Sequence, residues 1–231
     1  VVVARPEWGA VLVDLREHGG SQGFAAPHTI EACADDVGRL IEQSGKPAAV
    51  LGHSFGGKVA LCYAGRKEAA LRATFVIDST PERASPRGDS WAVLGVAKAL
   101  PVAFATREEC VRALMEKGIT ESIARWFAMN VSLQEGRYRW RLDFGAIEAL
   151  LENFFQKDLW KVIEEAIPSQ PIMMVKAEGA EVLHEGSVAR LETLGAHHGA
   201  VRVRRVAGGH WLNADNPEAM VALLVEGLPL V

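Results

Sequence analysis

Gly52-His53-Ser54-Phe55-Gly56 carries the Gly-x-Ser-x-Gly spacing that chemistry demands of a serine nucleophile. A serine that attacks a carbonyl must project above a sheet from a tight strand-to-helix turn. Glycines two positions away on each side remove Cβ atoms that would crowd that turn. The backbone N–H of Phe55, at the helix start, can then face a developing oxyanion. Extended through Gly57 to Lys58, the run also matches the first part of a phosphate-binding loop, Gly-x-x-x-x-Gly-Lys. The next position there should be a magnesium-binding Ser or Thr, and here it is Val59.

A serine nucleophile needs a base and an acid that orients the base. The chain has seven histidines. His18 and His28 precede the serine, and His53 is constrained within the turn itself. His184, His197 and His198 fall near helix ends or loops, and the adjacent pair lacks the i, i+4 spacing of a helical metal site. His210 stands apart, in Ala207-Gly208-Gly209-His210-Trp211-Leu212, between a strand and the last helix. Two glycines let this loop fold over the sheet edge, where a base belongs. For the acid, Asp78 ends the strand that follows the Ser54 helix, at the carboxyl edge where ligands gather in open α/β sheets. The other place is the loop Lys176-Ala177-Glu178-Gly179-Ala180-Glu181, where Ala180 cannot act and Glu178 and Glu181 flank it imperfectly. Both loops stay open.

These residues need elements to hold them. Ala10–Leu15 reads as a strand, followed by a Gly-rich loop at 17–23. Apolar or small residues at Ile30, Cys33, Ala34, Val37, Leu40 and Ile41 have the one-faced helical period, stopped by Gly45 and Pro47. Ala48–Gly52 is a short apolar run, as a strand buried on both faces requires. A helix from Lys58 to about Leu71 and a strand at Ala73–Asp78 follow. From Ser79 to about Ile167 the pattern predicts helices and no strand. That stretch contains four of the six tryptophans and five of the eight phenylalanines. Strands return at Pro171–Val175 and Ala200–Val206, with a helix near Gly186–Leu194. Asn216 as N-cap, Pro217 at the first helical position and Glu218 in the first turn open the last helix. The expected fold class is α/β, a mostly parallel sheet with flanking helices. Residues 1–80 and 168–231 form the core, and 81–167 a helical cap.

Composition narrows the function classes. The chain has 231 residues, 49% apolar and 23% charged, with a net charge of −4. That balance leaves no basic footprint for nucleic acid. No apolar run approaches the ~18–20 residues of a membrane span. Val1-Val2-Val3-Ala4-Arg5-Pro6-Glu7 is too short an apolar run for a signal peptide, so a cytoplasmic location is expected. Cys33, Cys62 and Cys110 fit neither a disulfide framework nor a zinc site, and read as buried thiols. The first residue is not Met, consistent with processing, truncation or an unusual start.

In four stretches the chain resembles the α/β-hydrolases, more narrowly the YbfF-type esterases and the related abhydrolase domain-containing protein 11 branch. Asp14-Leu-Arg16-Glu-His18-Gly-Gly-Ser21 matches the loop after that family's fourth strand, Gly52-His-Ser-Phe-Gly-Gly-Lys58 its nucleophile elbow, Asp78-Ser-Thr-Pro81 the opening of its cap, and Gly209-His210-Trp211-Leu212 its base loop. Tyr138-Arg-Trp140-Arg-Leu-Asp143-Phe144 with Asp158-Leu-Trp160 resembles the branch's cap. The resemblance implies a helical cap, no cofactor, hydrolysis of a small-molecule ester, and an acid after the sixth strand, which is Asp78. The triad is then Ser54, His210 and Asp78, with Phe55 in the oxyanion hole. Aromatic residues of the cap (Trp126, Trp140 and Phe144), with Trp211, are expected to line an apolar acyl pocket. The same triad also serves thioester, perhydrolysis and C–C hydrolysis chemistry. Dehalogenases and epoxide hydrolases use an aspartate nucleophile, which Ser54 argues against. A ligand-binding relative without activity is the rival outside enzymes. Oligomeric state is left open.

One departure from the family is expected to matter. Its oxyanion loop is a His-Gly after strand three. His18-Gly19 lies 36 residues before Ser54, room for one helix and one strand. An oxyanion loop would need two βα units in between, roughly 60 residues. The chain is thus expected to lack strands one to three and that loop, as a fragment of a longer hydrolase would.

Overall fold

The computed structural model describes residues 3–45, 49–66, 69 and 71–229. In chain order the elements begin with α1 (Ile30–Ser44), β1 (Ala49–His53), α2 (Phe55–Ala64) and β2 (Ala73–Ile77). Next come α3 (Asp89–Lys98), β3 (Ala103–Phe104), α4 (Arg107–Glu116) and α5 (Glu121–Phe127), then β4 (Val131–Gln134), β5 (Arg137–Trp140), α6 (Phe144–Gln156) and α7 (Trp160–Glu164). The chain closes with β6 (Ile172–Ala177), α8 (Glu185–His198), β7 (Val201–Val206), α9 (Leu212–Asp215) and α10 (Pro217–Gly227). The expected helix stop at Pro47 and strand start at Ala48 lie outside the described residues.

The chain forms two units. The first comprises Val1–Val13, Thr29–Arg83 and Gln156–Val231. Its centre is a parallel sheet in the order β1-β2-β6-β7. β2 and β6 are buried along their whole length, as parallel strands covered on both faces must be. β7 is an edge and reads differently. Arg204 and Arg205 point out and pair with Glu226 and Glu185, charges that blunt an open edge. Register sets the useful edge: His53 pairs with Ile77, Ile77 with Val175, and Ala177 with Val206. The residues that follow these four strands therefore gather at one end of the sheet.

Local sequence explains the helices of this unit. Thr29 caps α1 by accepting the Ala32 N–H at 3.1 Å, and Ile30, Cys33 and Ala34 are buried. α2 stops at Gly65, earlier than the pattern predicts, with the Gly65 N–H on the Leu61 carbonyl. Asn216 caps α10 as expected, its side chain accepting from the Ala219 N–H. Cys33, Cys62 and Cys110 are all buried and in no disulfide, and burial pushes the Cys110 thiol up to about 12.

The second unit comprises Asp14–His28 and Ala84–Phe155. The expectation of helices alone in the insertion is overturned here. β3, β5 and β4 form a three-stranded antiparallel sheet, with Val131 opposite Trp140 and Gln134 opposite Arg137. Glu135 and Gly136 make the connecting turn at φ 50° and 77°. That is the primed two-residue turn that matches strand twist. Its usual Asn-Gly or Asp-Gly signature is replaced by Glu-Gly, which hid the hairpin. Trp140 is accordingly on a strand and not on a helix.

The strand expected at Ala10–Leu15 is also overturned. These residues form no strand and have no strand partner among the described residues, and Val11 and Leu12 are 68% and 96% exposed. β-branched composition cannot make a strand without a neighbour to take its hydrogen bonds. Instead the chain closes a self-bonded loop from Asp14. The Asp14 carboxylate accepts the Gly20 N–H at 2.8 Å, Glu17 accepts the Phe24 N–H at 2.6 Å, and Arg16 donates to the Pro27 carbonyl at 2.7 Å. The Arg16 guanidinium also lies over the Phe24 ring at 5.1 Å. These bonds account for the Asp-x-Arg-Glu pattern of the loop by its own architecture.

Candidate active site

Ser54 sits between β1 and α2 with φ 53° and ψ −116°, a conformation that costs a residue with a Cβ on the order of 1–3 kcal/mol. Two glycines make the turn possible. A Cβ on Gly52 would run into the Gly56 carbonyl, and one on Gly57 would lie 2.8 Å from the Cβ of Ser79. The Ser54 N–H donates to the Ile77 carbonyl at 2.9 Å, which ties the elbow to the end of β2. Phe55 opens α2.

Asp78 follows directly after β2, fully buried and with φ 40°. Its N–H donates to the Val175 carbonyl at 2.8 Å. Its Oδ1 accepts the Ala177 N–H at 3.2 Å, and its Oδ2 lies 2.6 Å from His210 Nδ1. An ionised carboxylate only accepts, so the proton is assigned to His210 Nδ1 and the lone pair to Nε2. The arrangement is a buried carboxylate orienting an imidazole beside a strained serine turn. It can accept a proton from a hydroxyl and return it to a leaving group.

Around this lie supports that sequence reasoning missed. The His210 loop is tied down by Asp215, which accepts the Gly209 N–H at 2.8 Å, and by Asn216, whose amide donates to the Ala207 carbonyl at 3.0 Å. Lys176 is buried on β6, and its Nζ donates to the Ala177 carbonyl at 3.0 Å and the Ala180 carbonyl at 2.5 Å. It thereby holds the residue whose N–H reaches Asp78. Lys58, fully buried on α2, donates to the Glu82 carbonyl at 2.8 Å. Burial pulls its pKa down to about 8, against the raising influence of Asp158 and Glu82. A lysine in an apolar run is indistinguishable by type from a surface lysine, so neither was legible. His53 also meets the base: its Nε2 lies 2.7 Å from the His210 carbonyl oxygen.

Of the sequence candidates, Ser54, Phe55, Asp78, His210 and Trp211 fall at this one sheet edge. The Trp211 ring lies 5.5 Å from His210 and 5.4 Å from His53. Glu178 and Glu181 are exposed, and Glu181 lies 3.5 Å from His184, away from His210's carboxylate partner. Trp126, Trp140 and Phe144 belong to the second unit, in an aromatic cluster with Phe104 and Phe127 at centroid separations of 5.4–5.9 Å. Among the described residues no cluster of three or more His, Cys, Asp or Glu could hold a metal ion, and no helix is long and apolar enough to cross a membrane.

A sequence model of the alpha/beta hydrolase family matches residues 3–223. A protein of Mus musculus described as sn-1-specific diacylglycerol lipase ABHD11 is 24% identical over 230 residues, covering 94% of this chain and 70% of the mouse protein. Among solved structures, a marine microorganism esterase superposes with a TM-score of 0.78 at 22% identity, covering 93% of this chain and 82% of the esterase. An E-2-(acetamidomethylene)succinate hydrolase superposes with a TM-score of 0.72 at 19% identity, covering 92% and 78%.

Proposed function

The chain belongs to the alpha/beta hydrolase family, and on that premise we propose that it is a serine hydrolase cleaving carboxylic esters or thioesters of small to medium acyl groups. The observation that carries this reading is the 2.6 Å bond between buried Asp78 and His210 Nδ1, beside the strained turn at Ser54. The lipase and esterase described above support an ester as the substrate class.

In this mechanism Ser54 Oγ attacks the substrate carbonyl carbon while His210 Nε2 takes the hydroxyl proton. The N–H of Phe55 receives the oxyanion of the tetrahedral intermediate. Collapse breaks the bond to the leaving alkoxide or thiolate, which takes the proton from His210, and leaves an acyl group on Ser54. Water then attacks that acyl carbon, His210 accepts the water proton, and collapse returns it to Ser54 Oγ as the acid departs. Asp78 stays ionised throughout, orienting the imidazole and stabilising its cation. Trp211 forms an apolar wall beside the base.

Hydrolysis of p-nitrophenyl acetate, butyrate and octanoate by the wild type and by Ser54→Ala tests the proposal. The expected loss in Ser54→Ala is at least about 10³-fold in kcat. Equal turnover by both proteins would sink the serine mechanism.

A further inference from the structure

The mechanism above leaves one imidazole of the site unused. His53 is the last residue of β1 and the neighbour of Ser54. Its ring lies 4.5 Å from that of His210, and its Nε2 lies 2.7 Å from the His210 carbonyl oxygen. A carbonyl only accepts, so His53 Nε2 carries the hydrogen and donates it. We infer that His53 is a positioning residue for the proposed base, joining the strand end that carries Ser54 to the backbone of His210, 157 residues further on.

The inference rests on the serine-hydrolase reading. His210 follows two glycines, one of them at φ 140°, so its loop has little stiffness of its own. Asp78 fixes the imidazole at Nδ1, and Asp215 and Asn216 hold the loop at Gly209 and Ala207, both before His210. Asp78, beside the Ile77 carbonyl that holds the Ser54 N–H, reaches only the His210 side chain, and the other two bonds stay within the loop, so none of the three ties the His210 backbone directly to the serine turn. The His53 bond does, because it runs from the residue next to Ser54. A misplacement of about 1 Å can cost about 10²-fold in rate. Burial, and then the nearby His210, hold the His53 pKa below the usual imidazole value. The ring therefore serves as a neutral donor and adds no second cation beside an imidazolium at His210.

Two substitutions separate the donor from the ring. His53→Gln keeps an amide N–H able to reach the same carbonyl, and His53→Met keeps bulk without a donor. On the full chain, kcat and KM for p-nitrophenyl butyrate, the rate of fluorophosphonate labelling, and the proton NMR resonance of the hydrogen between His210 and Asp78 are measured. The expected result for His53→Met is a loss in kcat of about 10- to 100-fold at nearly unchanged KM. Labelling slows by a similar factor and the resonance shifts or broadens, while His53→Gln stays within about threefold of wild type. The inference is overturned if His53→Met stays within about twofold of wild type. It is equally overturned if His53→Gln is as impaired as His53→Met while both unfold cooperatively like the wild type. Should His53→Met fail to fold, His53→Asn, whose shorter amide cannot reach the carbonyl, takes its place with the same two results. The resonance is read without substrate. A wild type that neither turns over ester nor labels defeats the hydrolase reading, and the resonance alone then decides the role of His53.

Discussion

A φ of 53° at Ser54 suits glycine and strains any residue with a Cβ. Ser54→Gly is therefore expected to be more stable than Ser54→Ala by about 1 kcal/mol, the reverse of the usual order for the two residues. Urea denaturation of both variants checks this, and an alanine variant at least as stable would remove the strain from the account. Lys58 gives a second prediction, in pH. Its pKa is 10.5 when free and about 8 in the fold, so between these values the unfolded chain binds the extra proton. Stability then rises with pH across that window, and the contribution is lost as pH falls through about 8. In thermal scans from pH 8 to 10.5, wild type should gain on Lys58→Met, and a constant difference would contradict the assignment. The triad candidates were legible in sequence because a serine between glycines and a histidine after two glycines are local signals. The residues alone leave Asp78 and Glu178 or Glu181 open, and only the resemblance points to Asp78, because the bond from Asp78 to His210 spans 132 residues; Glu178 and Glu181 are both exposed.

The elements show a different balance. Apolar runs without alternation announced β2 and β6, and Asn216-Pro217-Glu218 announced the start of α10. Asn216→Ala is expected to cost about 1 kcal/mol, since it removes both the Ala219 cap and the bond to the Ala207 carbonyl. Activity should fall with it, because that second bond steadies the His210 loop. The β4–β5 hairpin escaped sequence reading because Glu135 is a poor residue for φ 50°. Glu135→Asn should raise stability by roughly 0.5–1 kcal/mol through the better turn, read as an increase in the urea midpoint. An unchanged midpoint would mean the turn residue does not limit the hairpin. Ala10–Leu15 failed in the opposite sense, with strand-like residues and no ladder to join.

At the scale of the whole molecule, the sheet of the first unit has a guarded edge and an open one. β7 carries paired arginines, while β1 has β2 as its only strand partner among the described residues and Leu51 is 51% exposed. Unguarded edges of this kind template association. Light scattering by the wild-type chain should therefore grow with concentration and fall in Leu51→Lys, whereas concentration-independent scattering by the wild type would count against an open edge. The fold class followed from the order of strands and helices alone. The division of the second unit did not, because its loop of 14–28 and its residues 84–155 are distant in sequence and grouped by tertiary contact.

The central claim is that Ser54 is a nucleophile activated by His210 and Asp78. Fluorophosphonate labelling followed by peptide mass mapping tests it most directly. The expected result is one adduct, on the peptide carrying Ser54, absent in Ser54→Ala and slowed by about 10³-fold or more in Asp78→Asn. No adduct on the wild type, or equal labelling of Ser54→Ala, would contradict it.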